Sequence, residues 1–437
     1  MSIFKSRIIR NKGFEIYLLV NVFLINIVGL ITIYSTSIEK GGLALSNHIS
    51  RQLLIVLLAL LIYYIVSKID YTYLKQKPIL IIMMTVNLVF LTSVLLLGVE
   101  RNGAKRWLDL GVFDLQPSEF GKFFLIIIGA NLLQAKEDLS AYKRLFVFIM
   151  YTILCLGLVF IEPDAGMTLI ISIIVIVTIV FGFRNRFKVV GMLGIFCAAY
   201  LGGLFIITRN PYILYFSIAM LVVSAIWYVI NKHAKSVRIV KLDAFISVVI
   251  VLLALVFGLF SRQVYNDVFE SYMRERVDDF IALVRSDQEN YDPNIVQSMV
   301  AIGSGEIIGK GFGHGTQSKL QFLPEHRTDF IFATFSEEFG FIGSVILLLL
   351  FLILFLQLFY IASTLEDKFA SIIVFAYGFK LLIETLVNMG MNLAVSPATG
   401  VPLPFVSAGG SHMIVNYIGL GVVVSILKVN NEKVIVN

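Results

Sequence analysis

Unbroken apolar runs, each long enough to cross a bilayer as a helix, recur along this chain and dominate what it can fold into. A membrane-spanning helix needs about 20 apolar residues. Runs of that kind fall at 15–36, 52–68, 78–98, 117–135, 145–162, 165–183, 189–208, 211–230, 243–261, 334–363, 369–393 and 409–428. Twelve spans of ~20 residues use nearly the whole apolar inventory, which is 58% of the 437 residues. Charged residues make up 15%, against about 25% in soluble domains. A soluble globule of this composition would expose apolar patches and aggregate. The runs are continuous rather than alternating, which excludes a β-barrel. The expected fold is an all-α polytopic membrane protein, a bundle of about ten to twelve transmembrane helices.

The net charge is +6. In this context it reads as the basic bias of cytoplasmic loops, not as a nucleic-acid surface. With a cytoplasmic N-terminus, 20 of the 35 Lys and Arg fall in cytoplasmic segments and six in short outer loops. Both termini are therefore expected in the cytoplasm. Lys5, Arg7, Arg10 and Lys12 precede the first run, and no small-residue cleavage site follows it, so the first span reads as uncleaved. Cys155 and Cys197 lie inside apolar runs and read as packing residues.

The chain reads as one integral membrane domain, 1–437, with two outer segments of note. Residues 99–116 are short and polar. Residues 262–333 form a large extracytoplasmic loop, longer than a connection needs and so a candidate for function. Within it Phe269, Met273, Val277, Phe280 and Val284 recur at helical spacing opposite acidic and basic residues. That pattern suits an amphipathic helix on the outer membrane face.

Ionisable groups inside spans are costly, and each is a candidate functional residue. Lys380, Glu384, Asn388 and Asn392 are spaced by four and share a helix stripe, so Lys380 and Glu384 can pair. His412 and Asn416 repeat the spacing on the last span. Glu119 and Lys122 follow Pro117, which suits a helix start. Glu162, Pro163 and Asp164 make a tight turn between spans. Such groups also hold bundles together with no chemistry involved. The five His are scattered and form no metal constellation; His326 with Glu325 and Asp329 reads as packing. The glycines at 303, 305, 309, 311, 313 and 315 lack the GxxxxGK[ST] pattern and read as tight turns whose N–H groups could still touch a lipid phosphate.

Several motifs resemble the SEDS family (shape, elongation, division and sporulation). They are Asn102-Gly-Ala-Lys-Arg-Trp-Leu108, Gln116-Pro-Ser-Glu119 with Lys122, Glu162-Pro-Asp-Ala-Gly166 and Gln297-Ser-Met-Val-Ala-Ile-Gly-Ser-Gly305. Further matches are Gly315-Thr-Gln-Ser318 through Pro324-Glu-His-Arg-Thr-Asp329, Glu337-Glu-Phe-Gly340, Asn388-Met-Gly-Met391 and Pro397-Ala-Thr-Gly-Val-Pro-Leu-Pro-Phe-Val-Ser-Ala-Gly-Gly-Ser411. They run in order from end to end, and the 315–326 wording is similar to the rod-shape branch rather than the division branch. Departures are the twelve spans against a usual ten, Glu162 where Gln is usual, and Ala408 where Tyr is common.

The resemblance implies a peptidoglycan glycosyltransferase. Such proteins polymerise lipid II, the undecaprenyl-pyrophosphate-linked disaccharide-pentapeptide, on the outer face of the bacterial cytoplasmic membrane, beside a class B penicillin-binding protein that crosslinks the strands. It implies a catalytic Asp ten residues before the Gln of Gln297-Ser298, which is Asp287; Asp292, in the only Asp-Pro, is the alternative. An attacking sugar hydroxyl needs a general base, and the leaving pyrophosphate needs cations. Arg101, Lys105, Arg106, Arg274 and Arg276 are the outer basic candidates, with Trp107, Glu119, Lys122, Lys380, Glu384 and Ser411 as further substrate-binding candidates. A divalent cation could share the pyrophosphate, but no residue set specifies a metal site. A lipid II flippase and a non-catalytic scaffold are the competing readings.

Overall fold

The computed structural model describes residues 13–37, 47–101, 104–109, 111, 114–134, 139–162, 164–182, 292–319, 322–396 and 398–436. The chain divides into two compact units, 1–178 with 275–437, and 179–274. Nearly all described residues belong to the first.

Nine long helices coincide with nine of the expected spans. They are α1 (Gly13–Ser35), α2 (Asn47–Val66), α3 (Lys77–Leu97), α4 (Pro117–Leu133), α5 (Leu139–Ile161), α6 (Ala165–Gly182), α9 (Ile331–Thr364), α10 (Lys368–Asn392) and α11 (Gly410–Val436). Two shorter helices, α7 (Pro293–Ser304) and α8 (Thr316–Lys319), precede α9. Seven of these helices are long and apolar enough to cross a membrane outright. The expected spans 189–208, 211–230 and 243–261, the interfacial helix near 269–284, and Cys197 lie outside the described residues.

Local sequence sets the helix ends. Pro117 occupies the first turn of α4, where a missing N–H costs nothing, and Glu119 sits there near the positive end of the helix dipole. Asp367 caps α10 by accepting from the Phe369 N–H at 3.2 Å. Asp292 caps α7 by accepting from the Asn294 N–H at 2.8 Å, with Pro293 behind it.

One departure from an all-helical chain is a small antiparallel sheet. Strands β1 (Val99–Arg101), β2 (Ala104–Asp109) and β3 (Asp114–Leu115) pair in the order β1-β2-β3. They fill the short polar segment between α3 and α4, and their position defines what is called here the hairpin end of the bundle.

Helices α9 and α10 pack as a hairpin, α11 packs on α2, α9 on α1, and α4 on α3, α5 and α10. The buried interfaces carry a sparse set of amides. Asn87 on α3 donates to Tyr151 Oη on α5 at 2.9 Å and lies 3.5 Å from Cys155 Sγ; Cys155 faces a helix interface and is buried. Asn26 donates to the Phe405 carbonyl at 3.0 Å. Apolar residues such as Leu54, Leu57 and Leu61 stay more than half exposed, as a lipid-facing surface requires.

The expected single span 334–363 is broken. At Gly340 the backbone turns to φ 64°, ψ −163° inside α9. A helix break in apolar surroundings strands polar backbone groups, which must find partners inside the protein. Here the Gly-rich segment supplies them. Phe341 N donates to Glu306 O at 2.9 Å, Ile342 N to Ile307 O at 3.1 Å, Lys310 N to Glu337 O at 3.0 Å and Gly311 N to Glu338 O at 2.9 Å. The approach is so close that a Cβ on Gly340 would lie 2.4 Å from Gly309 N.

The glycine run makes tight turns as expected, with positive φ at Gly309 and Gly311, and only the expected phosphate contact is corrected. The N–H groups of Lys310 and Gly311 are committed to the broken helix and are not left for a lipid phosphate. The buried Glu337 carboxylate takes Lys310 Nζ at 2.6 Å, Thr316 N at 2.8 Å and Thr316 Oγ1 at 2.8 Å. Glu338 accepts from Ser35 Oγ at the end of α1. Arg327 Nε donates to Thr36 Oγ1 at 3.0 Å, so the same helix end is tied to the segment leading into α9.

Candidate functional site

Three helix stripes converge on one buried ionic network. Lys122 of α4 lies at its centre. Its Nζ is 2.9 Å from Glu119 Oε2 one turn earlier and 2.5 Å from Glu384 Oε1 on α10. The other Glu384 oxygen, Oε2, is 2.9 Å from Lys380 Nζ, which also donates to Asn416 Oδ1 on α11. His412 Nδ1 faces Glu119 Oε2 at 3.2 Å, and Asn416 Nδ2 lies 3.0 Å from His412 Nε2. Glu119, Lys122, Lys380, Glu384 and Asn416 are at most 1% exposed. Two carboxylates thus face two ammonium groups, and their formal charges cancel. Such pairing is what makes buried charge tolerable in an apolar bundle.

The spacing of Lys380 and Glu384 and that of Glu119 and Lys122 foretold the pairs within each helix. The bond between helices, Lys122 to Glu384, was not legible, because periodicity says which residues share a face but not which faces meet. Asn388 and Asn392, on the same stripe, do a different task. Asn388 Nδ2 donates to Val401 O at 2.7 Å and to Asp329 O at 2.8 Å. Asn392 Nδ2 donates to Asp329 O at 3.0 Å, and both amides pin loop backbone.

A polar collar at the hairpin end continues from the network. Ser411, next to His412, accepts from Gln116 N at 2.8 Å and donates to Asp114 O at 3.1 Å. Gln116 Nε2 donates to Asp164 Oδ2 at 3.2 Å. Arg106 of β2 brings NH1 to 3.7 Å from the same oxygen and its Nε to the Glu162 carbonyl at 3.3 Å. Burial pushes the Glu162 carboxyl up to about 8, with the neighbouring Asp164 carboxylate adding to the rise and Arg106 opposing it.

Other expected site residues fall elsewhere. Lys105 is exposed and turns back to the end of α3, donating to Leu95 O at 3.2 Å. Trp107 is half-buried on β2. Arg101 lies on β1. Asp287, Arg274 and Arg276 lie outside the described residues. An apolar cavity of about 290 Å³ between α3, α4 and α11 is lined by Tyr71, Met83, Phe120, Phe123 and Val422 and carries no part of the network.

Glu119, Glu384 and His412 offer atoms within 4.8 Å of one another, close enough in principle to ligate an ion. The donor set nevertheless fits lysine. Lys122 Nζ already bridges both carboxylates, and a divalent ion there would have to displace that buried ammonium.

The fold and site define a polytopic helical membrane protein with a charge-compensated core that leads into a polar collar at one end. The chain belongs to the FtsW/RodA/SpoVE family, described as cell cycle proteins, whose profile matches residues 16–432. It is 28% identical over 436 residues to the peptidoglycan glycosyltransferase RodA of Treponema pallidum, covering 95% of this chain and 98% of that protein. It is 30% identical over 344 residues to the peptidoglycan glycosyltransferase MrdB of Escherichia coli K12, covering 78% and 75%. Among solved structures, a chain from a peptidoglycan synthase complex superposes with a TM-score of 0.62 at 23% identity, over 94% of this chain and 97% of that one. The crystal structure of Thermus thermophilus RodA superposes with a TM-score of 0.57 at 21% identity, over 94% and 96%.

Proposed function

We propose that this protein is a peptidoglycan glycosyltransferase that polymerises lipid II at the outer face of the bacterial cytoplasmic membrane. The observation that carries the reading is family membership along almost the whole chain, with relatives of nearly the same extent named for that activity. The distribution of Lys and Arg supports cytoplasmic termini, and on that reading the hairpin end faces outward. The likeness to a chain of a peptidoglycan synthase complex supports a class B penicillin-binding protein as the partner.

The reaction displaces lipid pyrophosphate from an anomeric carbon. The acceptor hydroxyl oxygen forms the new bond to that carbon, the bond to the phosphate oxygen breaks, and the hydroxyl proton passes to a base. Asp287 is the proposed base. Arg106 at the collar, with Arg101 and Arg276, is proposed to attract the pyrophosphate. The role of the Glu119–Lys122–Glu384–Lys380 network in this reading is to hold α4, α10 and α11 in a fixed geometry beneath the collar. Tight placement of this kind is what orientation-dependent catalysis needs.

The test is a gel-resolved polymerisation assay on the purified protein with its transpeptidase and lipid II. Polymer from the wild type and none from a folded Asp287→Ala protein supports the reading. Transfer of lipid II across vesicles without polymer overturns it. Labelling of cysteines introduced in 262–333 from the cytosol alone overturns the sidedness.

A further inference from the structure

Glu162 sits in the turn between α5 and α6 and is 1% exposed. Among the described residues, neither of its carboxyl oxygens has a hydrogen-bond partner. A buried polar group without a partner is rare and points to something that completes it. The surroundings are built rather than slack. Arg106 fixes the Glu162 backbone from β2. Asp164 caps α6 through Met167 N at 3.0 Å and accepts from Gln116. Gly166 presses so closely on the 398–401 segment that a Cβ there would lie 2.6 Å from Thr399 O. Thr399 Oγ1, on that segment, also lacks a partner. Arg106, its side chain 12% exposed, and Thr399 are only partly exposed, so the unmatched carboxyl lies behind them at the collar.

The charged groups facing Glu162 are Asp164 on its own turn and Arg106 on β2. Gln116 ahead of α4 and Ser411 of α11 hydrogen-bond within the collar, and they and Thr399 carry no charge. Held up to about 8 by burial, the carboxyl favours its protonated form at neutral pH, and that form presents one donor and one acceptor side by side. That pair does not match a phosphate, which only accepts. It matches two neighbouring oxygens of a sugar, one accepting and one donating.

We infer that Glu162 is a substrate-binding residue whose buried, unpartnered carboxyl grips neighbouring hydroxyls of the saccharide. The inference rests on the glycosyl-transfer reading. It requires the proton to stay on Glu162, so binding weakens as pH rises through about 8.

The experiment measures kcat and KM for lipid II polymerisation from pH 6.5 to 9.5 in the wild type, Glu162→Gln and Glu162→Ala, with thermal unfolding of each protein in the same buffers. Glu162→Gln keeps a donor and an acceptor without a titratable proton. It is expected to stay within about twofold of the wild type at pH 7 and to lose the alkaline rise in KM. Glu162→Ala is expected to raise KM about tenfold at pH 7, the scale of one hydrogen bond to substrate, with kcat little changed. The wild-type KM is expected to climb toward the Ala value above pH 8. A shared pH profile for wild type and Glu162→Gln, or an unchanged KM in Glu162→Ala, overturns the inference while leaving glycosyl transfer standing. A folded wild type that makes no polymer at any pH overturns the functional reading, and this inference with it.

Discussion

Lys122 and Glu384, 262 residues apart in sequence, meet at 2.5 Å in the interior of the bundle. The contact joins α4 to α10, and through Glu119 and Lys380 it recruits α11. Removing the ammonium leaves two carboxylates without their shared cation. Lys122→Met is expected to cost about 3–5 kcal/mol, the scale for breaking a buried pair from one side. Glu384→Gln leaves Lys122 with Glu119 and should cost less. The double variant should be less destabilised than the sum of the singles, with a coupling of about 0.5–3 kcal/mol. Thermal unfolding in detergent measures this; strict additivity would mean that the two side chains do not act as a unit.

The break in α9 gives a second prediction. At φ 64° an alanine costs about 1–3 kcal/mol in backbone strain alone. A Cβ on Gly340 would also lie 2.7 Å from Ile307 O. Gly340→Ala is expected to lower the unfolding temperature sharply and reduce yield. Gly303, inside α7 with nothing within 4 Å of an added Cβ, is the control. Gly303→Ala should be neutral or stabilising by about 0.5–1 kcal/mol. Equal behaviour of the two variants would show that the crossing of 306–311 with 337–342 does not constrain Gly340.

The two glycine positions show what periodicity can and cannot deliver. Spans are legible because length and apolarity alone decide them, and most ends of the nine long helices fall within three residues of the expected ones, the exceptions being the starts at Asn47 and Leu139 and the end at Val436. The run Phe339-Gly340-Phe341 stays apolar through the break, so nothing in it marks a kink. The kink is set by backbone pairing with a segment some 30 residues earlier. The sheet at 99–115 was equally hidden, because strands of two to six residues are too short to show alternation. Of the site, the i,i+3 and i,i+4 pairs were visible, and the meeting of three helices was not. Glu162 was visible only as part of a turn, since it is burial that raises its carboxyl.

Asp292 and Asp287 make separable predictions. Asp292 Oδ1 is spent on the Asn294 N–H at the start of α7, a cap worth about 1 kcal/mol. Asp292→Ala is therefore expected to lose about that much stability and to keep most polymerisation, and Asp292→Ser, which can cap, should recover the stability. Asp287→Ala should lose about a hundredfold or more in rate, the lower range for a general base, with unfolding unchanged. Loss of polymer in both Asp292→Ala and Asp292→Ser, with Asp287→Ala active, would move the base to Asp292.

The junction of α9 and α10 carries a pH-dependent clasp. Asp367 Oδ2 accepts from Lys75 Nζ at 2.7 Å and from Tyr71 Oη at 2.7 Å, while Oδ1 takes the Phe369 N–H. Burial alone would raise this carboxyl, but the bonds from Lys75 and Tyr71 outweigh it and hold it below the usual range. A carboxylate lowered on folding contributes stability above its unfolded value of about 3.9 and loses that contribution as pH falls through the native one. The Lys75 and Asp367 side chains are 31% and 26% exposed, so solvent screening keeps the contribution to about 1–2 kcal/mol. Asp367→Asn should lower the unfolding temperature at pH 7, and the gap to the wild type should close on acidification below about pH 4. Raising the salt at pH 7 should narrow the gap only in part, because the tyrosine and backbone bonds carry no charge of their own. A gap that stays constant down to pH 2.5 would mean that the clasp draws nothing from the ionised carboxylate, and that the amide fails for reasons of shape alone.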